Sequence, residues 1–383
     1  MLTSTEGYYY GDTKDVIFKR KVVLIDPEYK VLTDTLQYNS TTEIATFTSP
    51  TRIISDSGRR TIKTKDGYFD LKNKRGFLYK RSVIDDSSYT FTADDMAVDD
   101  STKLGEFRGN AVYRGKDRAQ GFDMIANNIK TDRKKDVLLA TENPILLIKQ
   151  GRDSIFVTAD TLYTARLSDL LKTRKVPNIR DWLKTVIDTT RSDSSNKFFE
   201  AYYHVKIYSD SLQAKGDSLF YSLQDSVFRL FKSPVVWAKE NQITGDTIYL
   251  YVKNKKPERM YVFENGMAIS RVDSTQYFNQ LKGTTLNALF TDGKISFMRA
   301  KGSTEHVFYN QDDTKKFISV SKSSADELQV IFEDSKPQKV TFIKNFDGTN
   351  YPMRQVNHED LRIRGFKWLN AIRPKSKFDI LSN

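Results

Sequence analysis

The chain has 383 residues, a formal net charge of +12, 12% aromatic residues and no cysteine. The missing thiols exclude a disulfide scaffold, a thiolate zinc site, an iron–sulfur cluster and a cysteine nucleophile. The aromatic content excludes a disordered polypeptide, and no apolar run approaches the ~18–20 residues of a spanning helix.

The start, Met1-Leu2-Thr3-Ser4, has neither a basic nor an apolar signal region. A first strand-like copy, Glu6-Gly7-Tyr8, is followed by Thr33-Asp34-Thr35-Leu36-Gln37-Tyr38, Asp66-Gly67-Tyr68, Ala93-Asp94-Asp95-Met96-Ala97-Val98, Asn127-Asn128-Ile129 and Ala159-Asp160-Thr161-Leu162-Tyr163. Later copies are Gly216-Asp217-Ser218-Leu219-Phe220-Tyr221, Gly245-Asp246-Thr247-Ile248-Tyr249, Thr284-Thr285-Leu286 and Asp326-Glu327-Leu328. Anchored on Glu6, Asp34, Asp66, Asp94, Asn127, Asp160, Asp217, Asp246, Thr284 and Asp326, the spacings run from 28 to 42 residues, with one gap of 57. The residue after each anchor is polar or glycine, and the next is apolar or aromatic. Pro50, Ser82, Asn110 and Asn143 fall where a turn or kink would lie, followed by β-branched pairs such as Ile53-Ile54 and Val83-Ile84. Period-two alternation broken by Asn73-Lys74-Arg75-Gly76 or Asp99-Asp100-Ser101-Thr102 reads as strand–turn–strand. One such unit cannot bury its own apolar face, so stacked neighbours must share an interior.

The 57-residue gap holds the one helical stripe, Ile179, Trp182, Leu183, Val186 and Ile187, after a shorter turn at Leu167, Leu170 and Leu171. The positive charge is diluted by Asp. Lys19-Arg20-Lys21 and Arg133-Lys134-Lys135 stand out, either as solvated strand ends or as contacts to an anionic ligand.

Catalytic signatures are missing from the pattern. His204, His306 and His358 are widely separated, and His358-Glu359-Asp360-Leu361-Arg362 lacks a second zinc-binding histidine. Gly216-Asp217-Ser218 is a copy of the repeat element, not a nucleophile elbow. The anchor Asp residues, one per unit, suit a strand-start hydrogen bond better than a calcium shell. No enzyme, cofactor or metal is expected, and the alternating aromatics do not form the basic stripe of a nucleic-acid binder.

The succession Leu32-Thr33-Asp34-Thr35-Leu36-Gln37-Tyr38-Asn39, Ala45-Thr46-Phe47 and Ser49-Pro50-Thr51-Arg52-Ile53 resembles the OstA-like/LptA-like family of periplasmic lipopolysaccharide-transport proteins. Gly105-Glu106-Phe107-Arg108-Gly109-Asn110 continues it. Tyr202-Tyr203-His204-Val205, Ser233-Pro234-Val235-Val236-Trp237 and the tail around Tyr351-Pro352-Met353, Trp368 and Ile372-Arg373-Pro374 resemble the long OstA-like proteins of Bacteroidetes. The resemblance implies an all-β, elongated antiparallel β-jellyroll, or β-taco, whose apolar groove carries the acyl chains of lipopolysaccharide. It also implies a location in the periplasm or at the outer membrane, with other transport components as partners and head-to-tail self-association through strand edges. The chain is then expected to begin downstream of an export signal and of further repeats. An envelope scaffold without lipid is the alternative.

Residues 1–164 are expected to form a first array, 165–200 a helical and flexible insertion, 201–350 a second array, and 351–383 a tail packed on the β body. Alternation places Leu36, Tyr68, Met96, Ile129, Leu162, Leu219, Ile248, Leu286 and Leu328 inward, with Tyr38, Val98, Tyr221 and Leu250 further along the same face. Phe47 and Phe107 are expected on the returning strands. These residues either line a lipid groove or pack a plain core.

Overall fold

The computed structural model describes residues 1–116, 121–150, 153–176, 196–253, 256–273, 275–312, 314–334 and 336–380. The described chain is almost wholly antiparallel β-strand, as expected of a jellyroll, with one short α-helix at Leu167–Leu171. The stripe expected over Ile179, Trp182, Leu183, Val186 and Ile187 lies outside the described residues. The chain divides into two compact units, Met1–Arg174 and Lys175–Asn383.

In the first unit, long strands serve two sets of neighbours. Tyr29–Asn39 pairs through its C-terminal half with Ile44–Phe47 and through its N-terminal half with Thr51–Ser55. Leu104–Gly115 likewise pairs with Asp95–Asp99 and with Tyr89–Ala93. Two arrays of short strands therefore diverge from a common corner, and they face each other. Phe91 of one stacks on Phe107 of the other, with ring centroids 3.9 Å apart and planes at 9°.

The corner is built from consecutive residues in the left-handed region: Arg20 and Lys21, Lys80 and Arg81, Gly109 and Asn110, Glu142 and Asn143. Such conformations cost a non-glycine residue roughly 1–2 kcal/mol each, so something must hold them. The repeat anchors supply part of that hold. Asn110 Nδ2 donates to Asp94 Oδ2 at 3.0 Å, and Arg81 Nη1 donates to Asp94 Oδ1 at 3.0 Å. The bond from Asn110 first, and Arg81 second, holds the Asp94 carboxyl below the usual carboxylate range. At neighbouring copies Lys80 pairs with Asp66, and hydroxyls bridge Thr33 to Thr51 and Ser82 to Thr64.

The second unit repeats the plan with longer strands, Lys256–Arg271, Phe278–Thr291, Lys294–Gln311 and Phe317–Glu333. Its corners fall at Tyr203 and His204, Lys232 and Ser233, Glu264 and Asn265, Gly302 and Ser303, and Lys344 and Asn345. Asn265 Nδ2 donates to Asp246 Oδ2, and Asn345 Nδ2 to Asp326 Oδ2, reproducing the bond at Asp94. Beyond the last strand the chain runs back across one outer face of this unit. Leu361 and Ile363 pack with Met267, Ile269, Val307 and Tyr309. Three glutamines pin this segment: Ile363 N–H donates to Gln280 Oε1, Leu369 N–H to Gln242 Oε1, and the Arg373 guanidinium to Gln213 Oε1.

Candidate apolar groove

Strand register turns the repeat pattern into a continuous interior row. In the first unit Leu36 lies opposite Phe47, Phe47 opposite Gly67, and Gly67 opposite Leu78. Leu78 lies opposite Met96, Met96 opposite Phe107, and Phe107 opposite Ile129; Ala140 then links Ile129 to Leu162. Apart from Gly67 all of these are buried hydrophobics. A parallel row passes through Tyr38, Ala45, Phe69, Gly76, Val98 and Gly105. Val98 is buried there, whereas Tyr38 is half-buried.

The second unit has the same two rows. Leu219, Leu230, Ile248, Val262, Leu286, Ala300 and Leu328 follow one another across the strands. Tyr221, Phe228, Leu250, Met260, Ala288, Met298 and Val330 form the second row. All of these side chains are buried.

Tyr68 is the exception and corrects the expected register. It lies opposite Thr46 and Phe77, on the face that carries Gln37, and its ring stacks on Phe77 at 4.9 Å. Gly67 takes the interior place. At φ of +151° its Cα hydrogen leaves room where a Cβ would meet the Phe77 carbonyl oxygen at 2.3 Å. Aligning this copy on Asp66 slips the alternation by one residue, which exchanges the two faces. The same slip puts Tyr79 outside and Leu78 inside.

Between the arrays of the first unit is a cavity of about 60 Å³, lined by Val98, Phe107 and Leu138 on one side and Ile84, Phe91 and Tyr113 on the other. That is room for about two waters, so an acyl chain enters only if the arrays part. Opposite the corner the strands of both arrays end in turns, and there the lining becomes charged with Arg60, Asp132, Arg133 and Asp136. Arg60 shares a strand face with Ile62 and is 6% exposed. Its Nε is buried without a partner, and its Nη1 lies 3.7 Å from Asp100 Oδ1. Arg133 Nη2 donates to the same Asp100 oxygen at 2.6 Å. The Tyr113 hydroxyl is pushed well above its usual range by burial and then by the charge of Asp136.

The first of these units also carries the family signal, for residues 1–94 match the family model described as OstA-like protein. Over these residues, about a quarter of its length, the chain is similar to the OstA-like family. Curated proteins give no match to the chain.

Outside the matched segment the histidines occupy three unrelated surroundings. His204 sits in a left-handed corner, and His358 donates from Nε2 to the Met353 carbonyl and shares a hydrogen bond between Nδ1 and Tyr309 Oη, each at 3.2 Å. His306 is buried against Phe308 and Phe342 with Nδ1 unpartnered. Asp217, next to Ser218, is paired with Lys232 at 3.0 Å. Among the described residues no group of three or more His, Asp or Glu side chains converges as a metal site, and no helix is long and apolar enough to cross a membrane. Alternation had the signal for Arg60, since Arg60-Thr61-Ile62 puts it on the Ile62 face, but its meeting with Asp100 was not legible.

Proposed function

We propose that the protein is a non-enzymatic carrier for an acylated glycolipid of the lipopolysaccharide class at the bacterial envelope, with the acyl chains lying between the facing arrays. The observation that carries this reading is the row of buried apolar side chains that runs from strand to strand through each unit, interrupted only at Gly67 among the positions traced, combined with the OstA-like match over residues 1–94. Burial of each acyl methylene stabilises by about 0.8 kcal/mol, so tails bind collectively while each step along the row changes the energy little. Periplasmic location, transfer between envelope components and the two-array division around 165–200 belong to the same proposal. The strand Glu6–Tyr10 pairs only with Asp15–Ile25 among the described residues and exposes Tyr8, Tyr9 and Tyr10, which suits strand addition by a second component or a second copy.

A second reading, an envelope scaffold without lipid, draws support from the small cavity and the close Phe91–Phe107 stack. A photo-crosslinking residue at Leu36 or Phe107 separates the two in cells. The carrier captures glycolipid at both positions and none at Gln37 on the opposite face. Absence of lipid at Leu36 and Phe107, in a protein that remains folded, leaves the scaffold.

A further inference from the structure

We infer that the lip of the first unit's groove is a phosphate site in which Arg60 and Arg133 hold the phosphate of an acylated ligand and Asp100 occupies that place when the ligand is absent. The inference rests on the carrier reading for the tails and adds a recognition element for the head.

Arg60 carries the argument. A guanidinium has five N–H donors, yet that of Arg60 makes no hydrogen bond among the described residues, and its Nε is buried with no acceptor. Burying a charge without hydrogen-bonded partners is costly, so an inward arginine at the end of an apolar row needs an oxyanion. Asp100 fills the role poorly for Arg60, at 3.7 Å, and well for Arg133, at 2.6 Å. Both guanidiniums therefore converge on one carboxylate oxygen from opposite arrays. A tetrahedral phosphate has more acceptor oxygens than a carboxylate and carries more charge. Placed where Asp100 Oδ1 now lies, it can meet the Arg60 fork and keep the Arg133 bond.

The other carboxylates at the lip are engaged elsewhere. Asp132 accepts from the backbone N–H of Lys134 and Lys135, and Asp136 pairs with Arg166 at 3.5 Å. Displacing Asp100 also releases its contact with Arg60, which spans the two arrays, and so couples head recognition to parting of the lip. The apolar lining behind Arg60 supplies the place for tails.

The test uses the full chain and two fluorescent single-chain probes, a monoacylglycerol phosphate and the same monoacylglycerol without phosphate. The wild type should bind the phosphorylated probe at least about tenfold more tightly, the scale of one or two charge-assisted hydrogen bonds. Arg60→Gln and Arg133→Gln should lose that preference while binding the neutral probe unchanged, and Arg60→Lys should keep part of it. Asp100→Asn removes the internal competitor and should tighten the phosphorylated probe severalfold. Equal binding of both probes by the wild type, or weaker phosphorylated-probe binding by Asp100→Asn at unchanged thermal stability, overturns the site. Inorganic phosphate that binds as tightly as the acylated phosphate overturns the assignment to a lipid head. If neither probe binds at all, the carrier reading itself is refuted.

Discussion

Removing the Phe107 ring is the most direct probe of the interior row. Phe107 is 3% exposed and stacked on Phe91 at 3.9 Å, between Met96 and Ile129 in the register. Phe107→Ala leaves a void on the order of 100 Å³, which at about 24 cal/mol per Å³ costs roughly 2.4 kcal/mol. Loss of the ring's burial adds about 2 kcal/mol. The sum, about 4 kcal/mol, falls within the ~3–5 kcal/mol usual for such truncations. The new void adjoins the existing cavity of about 60 Å³, and the combined space, on the order of 160 Å³, is enough for a benzene-sized apolar molecule. Denaturant unfolding measures the loss, and a thermal shift with a small aromatic measures the recovery. Lys130→Ala, on the opposite face beside Glu106, should change stability by less than about 0.5 kcal/mol. A Phe107→Ala cost below about 1 kcal/mol, or one matched by Lys130→Ala, would refute the inward assignment.

His306 gives a pH signature. Burial lowers its pKa from 6.5 to about 4. Protons therefore bind the unfolded chain first as pH falls, and the stabilisation present above pH 6.5 is lost progressively down to about pH 4, by roughly 3 kcal/mol. His306→Leu should flatten that part of the stability–pH curve, and an unchanged slope would refute the attribution. In the tail, the fully buried Gln242 donates to the Lys367 carbonyl at 2.7 Å and accepts from Leu369 N–H at 2.6 Å. Gln242→Ala should cost about 2–3 kcal/mol by leaving both backbone groups unpaired. Hydrogen exchange should quicken selectively at Leu369, and exchange spread evenly over the unit would show that the strap is not a separate element.

Alternation in this chain was enough to determine that it is a stack of antiparallel strands and to choose the face of Leu36, Met96, Ile129, Leu162, Leu219 and Leu328. A period of two is a local property, set by how successive Cβ atoms leave an extended backbone. The kinks at Asn110 and Asn143 were legible for a similar reason, since asparagine tolerates the left-handed region better than most residues. At Tyr68 the aspartate spacing and the alternation disagree by one residue, and a one-residue slip inverts a strand, so the anchor at Asp66 points to the wrong face. Tertiary structure alone decided which strands pair with two arrays, that Asp94 is held by both Arg81 and Asn110, and that Gln213, Gln242 and Gln280 receive a tail more than 80 residues away in sequence. It also decided that Arg60 and Arg133 meet at Asp100. Such meetings depend on how many strands separate two turns and where each strand bends, quantities that no single segment carries.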